Sequence, residues 1–217
     1  AVEGGPPVDL PGNEQSLDGV QDPRWATNEL LVTGLSGGTA QKVRIWELPS
    51  GSLVREIDFG ASAWWQIGDD RLLAEVIETE ADTGHELYHL REWMLPLGEA
   101  RELGSVDRTA LGSSQSRFDP DGSGWVYSKG NRVFYRPLPL LEGVSDRLVG
   151  THLNEADNGG LPAQPNRLWT RDRSTSELRF WDLEGPGAEP VRVVSPPTTV
   201  EPGSFLTPGP GGRWATD

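Results

Sequence analysis

The chain has 217 residues, a formal net charge of −14 and no cysteine. That length can bury a real core in one large all-β domain or two small domains. The charge repels a phosphate backbone and an anionic membrane surface, and the absence of thiols excludes disulfides, thiolate metal sites and cysteine nucleophiles.

The opening residues 1–20, AVEGGPPVDLPGNEQSLDGV, hold at most one short strand, and a chain starting at Ala1 rather than Met leads us to expect sequence upstream. A first repeat then runs over 20–58. It reads PRWAT at 23–27, NELLVTG at 28–34, the aromatic phrase VRIWELPSG at 43–51 and LVREI at 53–57. A second repeat over 59–104 carries DRLLAEVI at 70–77, LREWMLPL at 90–97 and ARELG at 100–104. The third, 110–150, carries GSGWVYS at 122–128, RVFYRPLP at 132–139 and DRLVG at 146–150. The fourth, 151–195, carries NRLWTRD at 166–172, LRFWDLEGPG at 178–187 and VRVV at 191–194. A fifth, truncated repeat occupies 203–217 and ends on GRWATD.

Short runs of branched and aromatic residues bounded by Gly, Asn or Asp read as strands. Each repeat is therefore expected to be an inner strand, a second strand, an aromatic third strand and an outer strand. The aromatic anchors Trp46, Trp93, Tyr135 and Trp181 lie 47, 42 and 46 residues apart. A period in the forties with a Trp-acid pair is the signature of a four-stranded propeller blade. In the first aromatic strand Val43 and Ile45 alternate with Arg44, Trp46 and Leu48, so neither face is fully polar, as expected of a sheet covered on both sides. The acid-rich stretch 75–93 could be read as helical, but Thr83-Gly84 interrupts it. Two strands joined by a solvated acidic loop holding Glu75, Glu78, Glu80, Asp82 and Glu86 are expected, with docking of a basic partner segment as the alternative role of that run.

On the phrases IWEL and FWDL and the turn FDPDGSGWVYS at 118–128, the chain resembles the WD-repeat β-propellers, in particular the divergent bacterial type, over about residues 20–217. The resemblance implies an all-β propeller of four-stranded antiparallel blades, about four blades and a partial fifth in one domain over 1–217. The count implies an incomplete ring, a fragment prone to self-association through open strand edges. The family's Gly-His pair near the start of each repeat is missing, so its His-Ser-Asp bracing is not expected. The nine Trp residues, at 25, 46, 64, 65, 93, 125, 169, 181 and 214, all fall in strand segments and are expected to supply the core instead.

No residue set earns a catalytic, cofactor or metal assignment. Asp119, Asp121, Ser123 and Gly124 mimic the start of a calcium loop, but the position for the bidentate Glu is Gly130. His85 and His89, near Glu80, Asp82 and Glu86, sit four apart without further ligands to complete a zinc site. His152 has no evident partner in the sequence. No Gly-x-Ser-x-Gly elbow or phosphate loop is present. The Trp64-Trp65 pair is the best exception to a purely structural role for tryptophan.

The expected function is a non-enzymatic repeat scaffold for protein–protein interaction. By the resemblance, it would be the sensing or docking region of a larger bacterial signalling protein in the cytoplasm. The expected partners are proteins, with no cofactor, nucleic acid or membrane. The alternative is a propeller that binds or hydrolyses a small ligand at its central channel, and an exported propeller would also accommodate a cysteine-free chain.

Overall fold

The computed structural model describes residues 20–27, 29–37, 40–68, 70–111, 116–119, 122–154, 156–160, 167–172, 174–184, 189–195, 206–208 and 214–216. It divides into two compact units, Ala1–Arg108 and Thr109–Asp217. In unit 1, a first sheet is built from β1 (Val20–Trp25), β2 (Leu30–Gly37), β3 (Ala40–Glu47) and β4 (Ser52–Asp58). A second is built from β5 (Ser62–Gly68), β6 (Arg71–Thr79), β7 (Glu86–Met94) and β8 (Ala100–Asp107). The short helix α1 (Arg108–Leu111) follows. In unit 2, the third sheet holds β9 (Ser116–Phe118), β10 (Gly124–Lys129), β11 (Arg132–Pro137) and β12 (Arg147–Thr151). The fourth holds β13 (Ala156–Gly160), β14 (Arg167–Asp172), β15 (Leu178–Asp182) and β16 (Arg192–Val194). Strands β17 (Leu206–Pro208) and β18 (Trp214–Thr216) pair antiparallel as a separate ribbon.

Every four-stranded sheet is an antiparallel meander in chain order, as the repeat reading expected. The acidic stretch is a hairpin: β6 and β7 pair along nine residues, from Arg71 opposite Met94 to Thr79 opposite Glu86. Alternation explains the packing. Val43 and Ile45 turn to one side and join Val32 and Ile57 against Leu72, Ala74, Val76 and Trp93 of the second sheet. Trp46 points to the other side and is also fully buried. In unit 2, Val126, Val133 and Val149 of the third sheet meet Ala156, Leu168, Trp181 and Leu183 of the fourth. Each pair of sheets thus shares one dry layer, with Trp93 or Trp181 from the later sheet facing the earlier.

An arginine on the outer strand of the earlier sheet ties each pair. Arg55 donates to the Gly98 carbonyl at 2.7 Å, and Arg147 donates to the Leu183 carbonyl while stacking over the Tyr135 ring. Close approach makes one glycine obligatory. A Cβ on Gly150 of β12 would lie 2.0 Å from the Trp181 ring, so the outer strand of the third sheet lies directly on the indole.

Four sequence expectations need correction. The anchor of the third repeat is Arg136, not Tyr135. Trp46 pairs with Leu31, Trp93 with Leu72 and Arg136 with Trp125, and two residues beyond each anchor an amide closes the same turn: Leu48 to Glu29, Leu95 to Asp70, Leu138 to Ser123. Tyr135 lies on the opposite face, against the layer shared with the fourth sheet. Arg136 faces Asp146 at 3.3 Å, and Asp146 also accepts the Tyr127 hydroxyl at 2.5 Å. Second, Trp64 is 72% exposed; its alternate neighbours Ala63 and Trp65 take the core side of β5. Third, Trp169 is only half-buried, whereas Trp46, Trp93, Trp125 and Trp181 are buried. Fourth, Glu75 is buried within β6 rather than solvated, because it lies four residues before the strand gives way to the turn. The side chains of Trp25 and Trp214, and residues 1–19, lie outside the described residues.

Candidate functional site

At the loop end of the fourth sheet, the chain leaving β12 brings His152 over β14. Thr170, two residues beyond Leu168, the partner of Trp181, accepts the Trp181 indole N–H at 2.7 Å. The same hydroxyl lies 2.5 Å from His152 Nε2. A hydroxyl that accepts from the indole and donates to a neutral imidazole uses both of its capacities. His152 Nδ1 is buried without a hydrogen-bond partner among the described residues. Burial, and then the Arg179 charge, push the imidazole down to about 4, against the opposing pull of Asp172 and Glu177. The expectation that His152 stands alone is therefore corrected: it bonds Thr170, which also holds the Trp181 indole.

Asp172 fixes the turn that follows. Its carboxylate accepts the amides of Asn154, Ser174 and Thr175 and the Asn154 side chain. Burial would raise its pKa, but these donors hold it below the usual carboxylate value. This loop end is bonded within itself.

The loop end of the second sheet is built differently. Ala74 stands where the fourth sheet has Thr170, so no hydroxyl can reach the anchor Trp93 from that place. A groove of about 600 Å³ opens there, lined by Phe59, Gly60, Ala61 and Ser62 from the approach to β5, by Ile77, Glu78 and Thr79 at the end of β6, and by Glu86 and Arg108. Phe59, Ala61 and Ile77 give it apolar lining, and Glu78, Glu86 and Arg108 give it charge. Glu86 pairs with Arg108, whose guanidinium also lies over the Tyr88 ring. Glu78 and Glu102 hold Arg91 between them at 2.8 and 2.9 Å. Burial works against the Arg91 charge, but those carboxylates raise its pKa above the ordinary value. Beyond the groove the turn over 80–85 presents Glu80, Asp82 and His85 to solvent.

The two histidines of the imagined zinc site separate. His85 is exposed in the turn, while His89 lies on β7 at 3.4 Å from Glu102 and 3.8 Å from Glu78. No grouping of three or more potential metal-ligating side chains occurs among the described residues. At the calcium-like stretch, Asp119 and Gly124 close a backbone turn at 2.8 Å and Ser123 donates to Asp119 at 3.4 Å; Asp121 lies outside the described residues. Phe59, Ala61 and Arg108 were missed by sequence reading. They sit in the connections flanking the second sheet, where no periodic signal marks them. Glu78 and Glu86 were visible as part of the acidic run, and counting the hairpin register back from Thr83-Gly84 would have set them together at one end.

No protein-family model matches the chain, and no curated protein matches it in sequence. Among solved structures, TolB from Acinetobacter baumannii is similar with a TM-score of 0.55 at 12% identity, over 89% of this chain and 47% of that one. The chain has the β-propeller fold. A structure described as the Dos1 propeller aligns at 0.49 and 12% identity, over 91% of this chain and 54% of that one. The WD40 domain of Toxoplasma gondii coronin aligns at 0.43 and 12% identity, over 84% and 60%. The chain thus spans about half the length of the first of these propellers.

Proposed function

We propose that this propeller chain is a non-catalytic scaffold that holds a protein partner at the loop end of the second sheet. The observation that carries the reading is the groove itself, lined by apolar Phe59, Ala61 and Ile77 together with Glu78, Thr79 and Glu86 on the paired strands β6 and β7 and with Arg108. Loops and strand ends on a rigid scaffold are where binding residues collect. Glu86 and Glu78 are engaged by Arg108 and Arg91, so they form a fixed charged edge to the groove. On the WD-type phrases in its third strands, we assign the chain to the divergent bacterial WD-repeat propellers, as the cytoplasmic docking region of a larger signalling protein.

A photo-crosslinking amino acid placed at Ala61 in the native host tests this. It is expected to join one protein, identified by its peptides, and the same group placed at exposed Ser52 is expected not to. Turnover of a small substrate that Glu86→Gln abolishes, without any protein crosslink, would replace docking by catalysis.

A further inference from the structure

We infer that the occupant of this groove is an extended basic segment of the partner, with one Arg or Lys over Trp64 and a second among the carboxylates of the β6–β7 turn. The inference rests on the docking reading above and names the chemistry of what docks.

Trp64 is the first ground. Trp46, Trp125 and Trp181 are buried, whereas Trp64 exposes 72% of its surface from the middle of a paired strand. Residues two apart on a strand share a face, so Trp64 stands on the same side of β5 as Ser62, which lines the groove. The face of an indole is the strongest side-chain site for a cation.

Charge is the second ground. Glu78 and Glu86 in the groove lining, with Glu80 and Asp82 in the adjoining turn and Glu102 beside Glu78, outnumber Arg91 and Arg108. The whole chain carries −14. Such a field attracts a basic segment and repels an acidic one or a nucleic acid. Phe59, Ala61 and Ile77 offer apolar lining to the methylene stems of Arg or Lys, whose charged ends can then reach the carboxylates beside them. Ser62 and Thr79 add hydroxyls that a peptide backbone can use.

The register sets a spacing. Trp64 lies opposite Glu75, and the same face of the strand runs four residues on to Thr79, which lies opposite Glu86 and next to Glu80 of the turn. At about 3.3 Å per residue, the two cation sites are roughly 13 Å apart, which an extended peptide spans in about four residues.

The probe is a fluorescein-labelled peptide GRGSGRG, with the acidic GEGSGEG as its control, titrated by anisotropy against the full chain in about 50 mM salt. GRGSGRG is expected to bind saturably and GEGSGEG not at all. Raising the salt about tenfold should weaken binding by about tenfold or more. Trp64→Ala should weaken it several-fold, with Trp64→Phe in between, and Glu80→Gln with Asp82→Asn should do the same. Trp64, Glu80 and Asp82 are all exposed, and an unchanged urea midpoint confirms that each variant is folded. Equal binding of GEGSGEG, or a Trp64→Ala variant that binds GRGSGRG as the parent does, would overturn the inference. An Ala61 crosslink to a partner segment lacking Arg and Lys would overturn it too, while leaving docking in place. Trp64-dependent binding of GRGSGRG without any protein crosslink at Ala61 would overturn the docking reading alone.

Discussion

In the fourth sheet, Thr170 joins the Trp181 indole to His152, and Asp172 gathers the amides of the turn beyond it. In the second sheet, Ala74 holds the place of Thr170, and ion pairs with an open groove stand where the other loop end is bonded shut. Both sheets have the same strand order and an anchor tryptophan on the same face of the third strand. The repeat therefore prescribes the meander and the buried indole, and it leaves the loop end free to differ. At one end Thr170 and Asp172 meet donors that would be costly to leave unpaired in a buried site. At the other, the ion pairs are partly exposed to water, where each contributes little.

Removing the shared element should cost most. Trp181→Ala takes away a fully buried side chain and the donor to Thr170, and Trp46→Ala takes away an equally buried indole bonded to Thr33 at 2.9 Å. Each is expected to lower unfolding free energy by about 3–5 kcal/mol, read as a lower urea midpoint. A loss under about 1 kcal/mol at either would break the claim that the buried indole anchors its sheet.

Acid should separate the two loop ends. His152 is buried in its neutral form with a pKa of about 4, below the unfolded value of 6.5. Between those values the unfolded chain binds the proton more readily, so stability falls as pH drops through that window, by at most about 3 kcal/mol. Urea midpoints at several pH values should therefore slope more steeply for the parent than for His152→Gln. Parallel slopes would remove His152 from the account.

The contact behind Trp181 can be tested from the other side. Gly150→Ala puts a methyl group into the indole ring, with an expected loss of about 1–3 kcal/mol. A neutral result in thermal unfolding would mean that the ring can slide, and that the closed loop end is softer than its hydrogen bonds suggest. The smallest effect is expected at the second sheet. Glu102→Ala removes one carboxylate from Arg91 while Glu78 remains, and the unfolding free energy should change by less than about 1 kcal/mol. A larger loss would show that these charges brace the sheet as His152 and Asp172 brace the fourth.

Much of the fold is determined by the sequence alone, because strand alternation and turn residues act over a few neighbours. The meander, the second strands ending near Glu78 and Asp172, the hairpin turning at Thr83-Gly84 and the buried Trp46, Trp93 and Trp181 all follow from such local patterns. Tertiary structure decided what depends on two segments meeting. Tyr135 and Arg136 are adjacent, and only pairing with Trp125 shows which of them takes the anchor position. His152 finds Thr170 and Trp181 across 18 and 29 positions of sequence, a distance at which a lone histidine carries no local signal. Trp64 and Trp65 are chemically identical, yet one is core and the other open to solvent, because only one side of β5 is covered at that point. The groove follows the same logic, since Phe59, Ile77 and Arg108 share a wall only once β5, β6 and the end of β8 are in place.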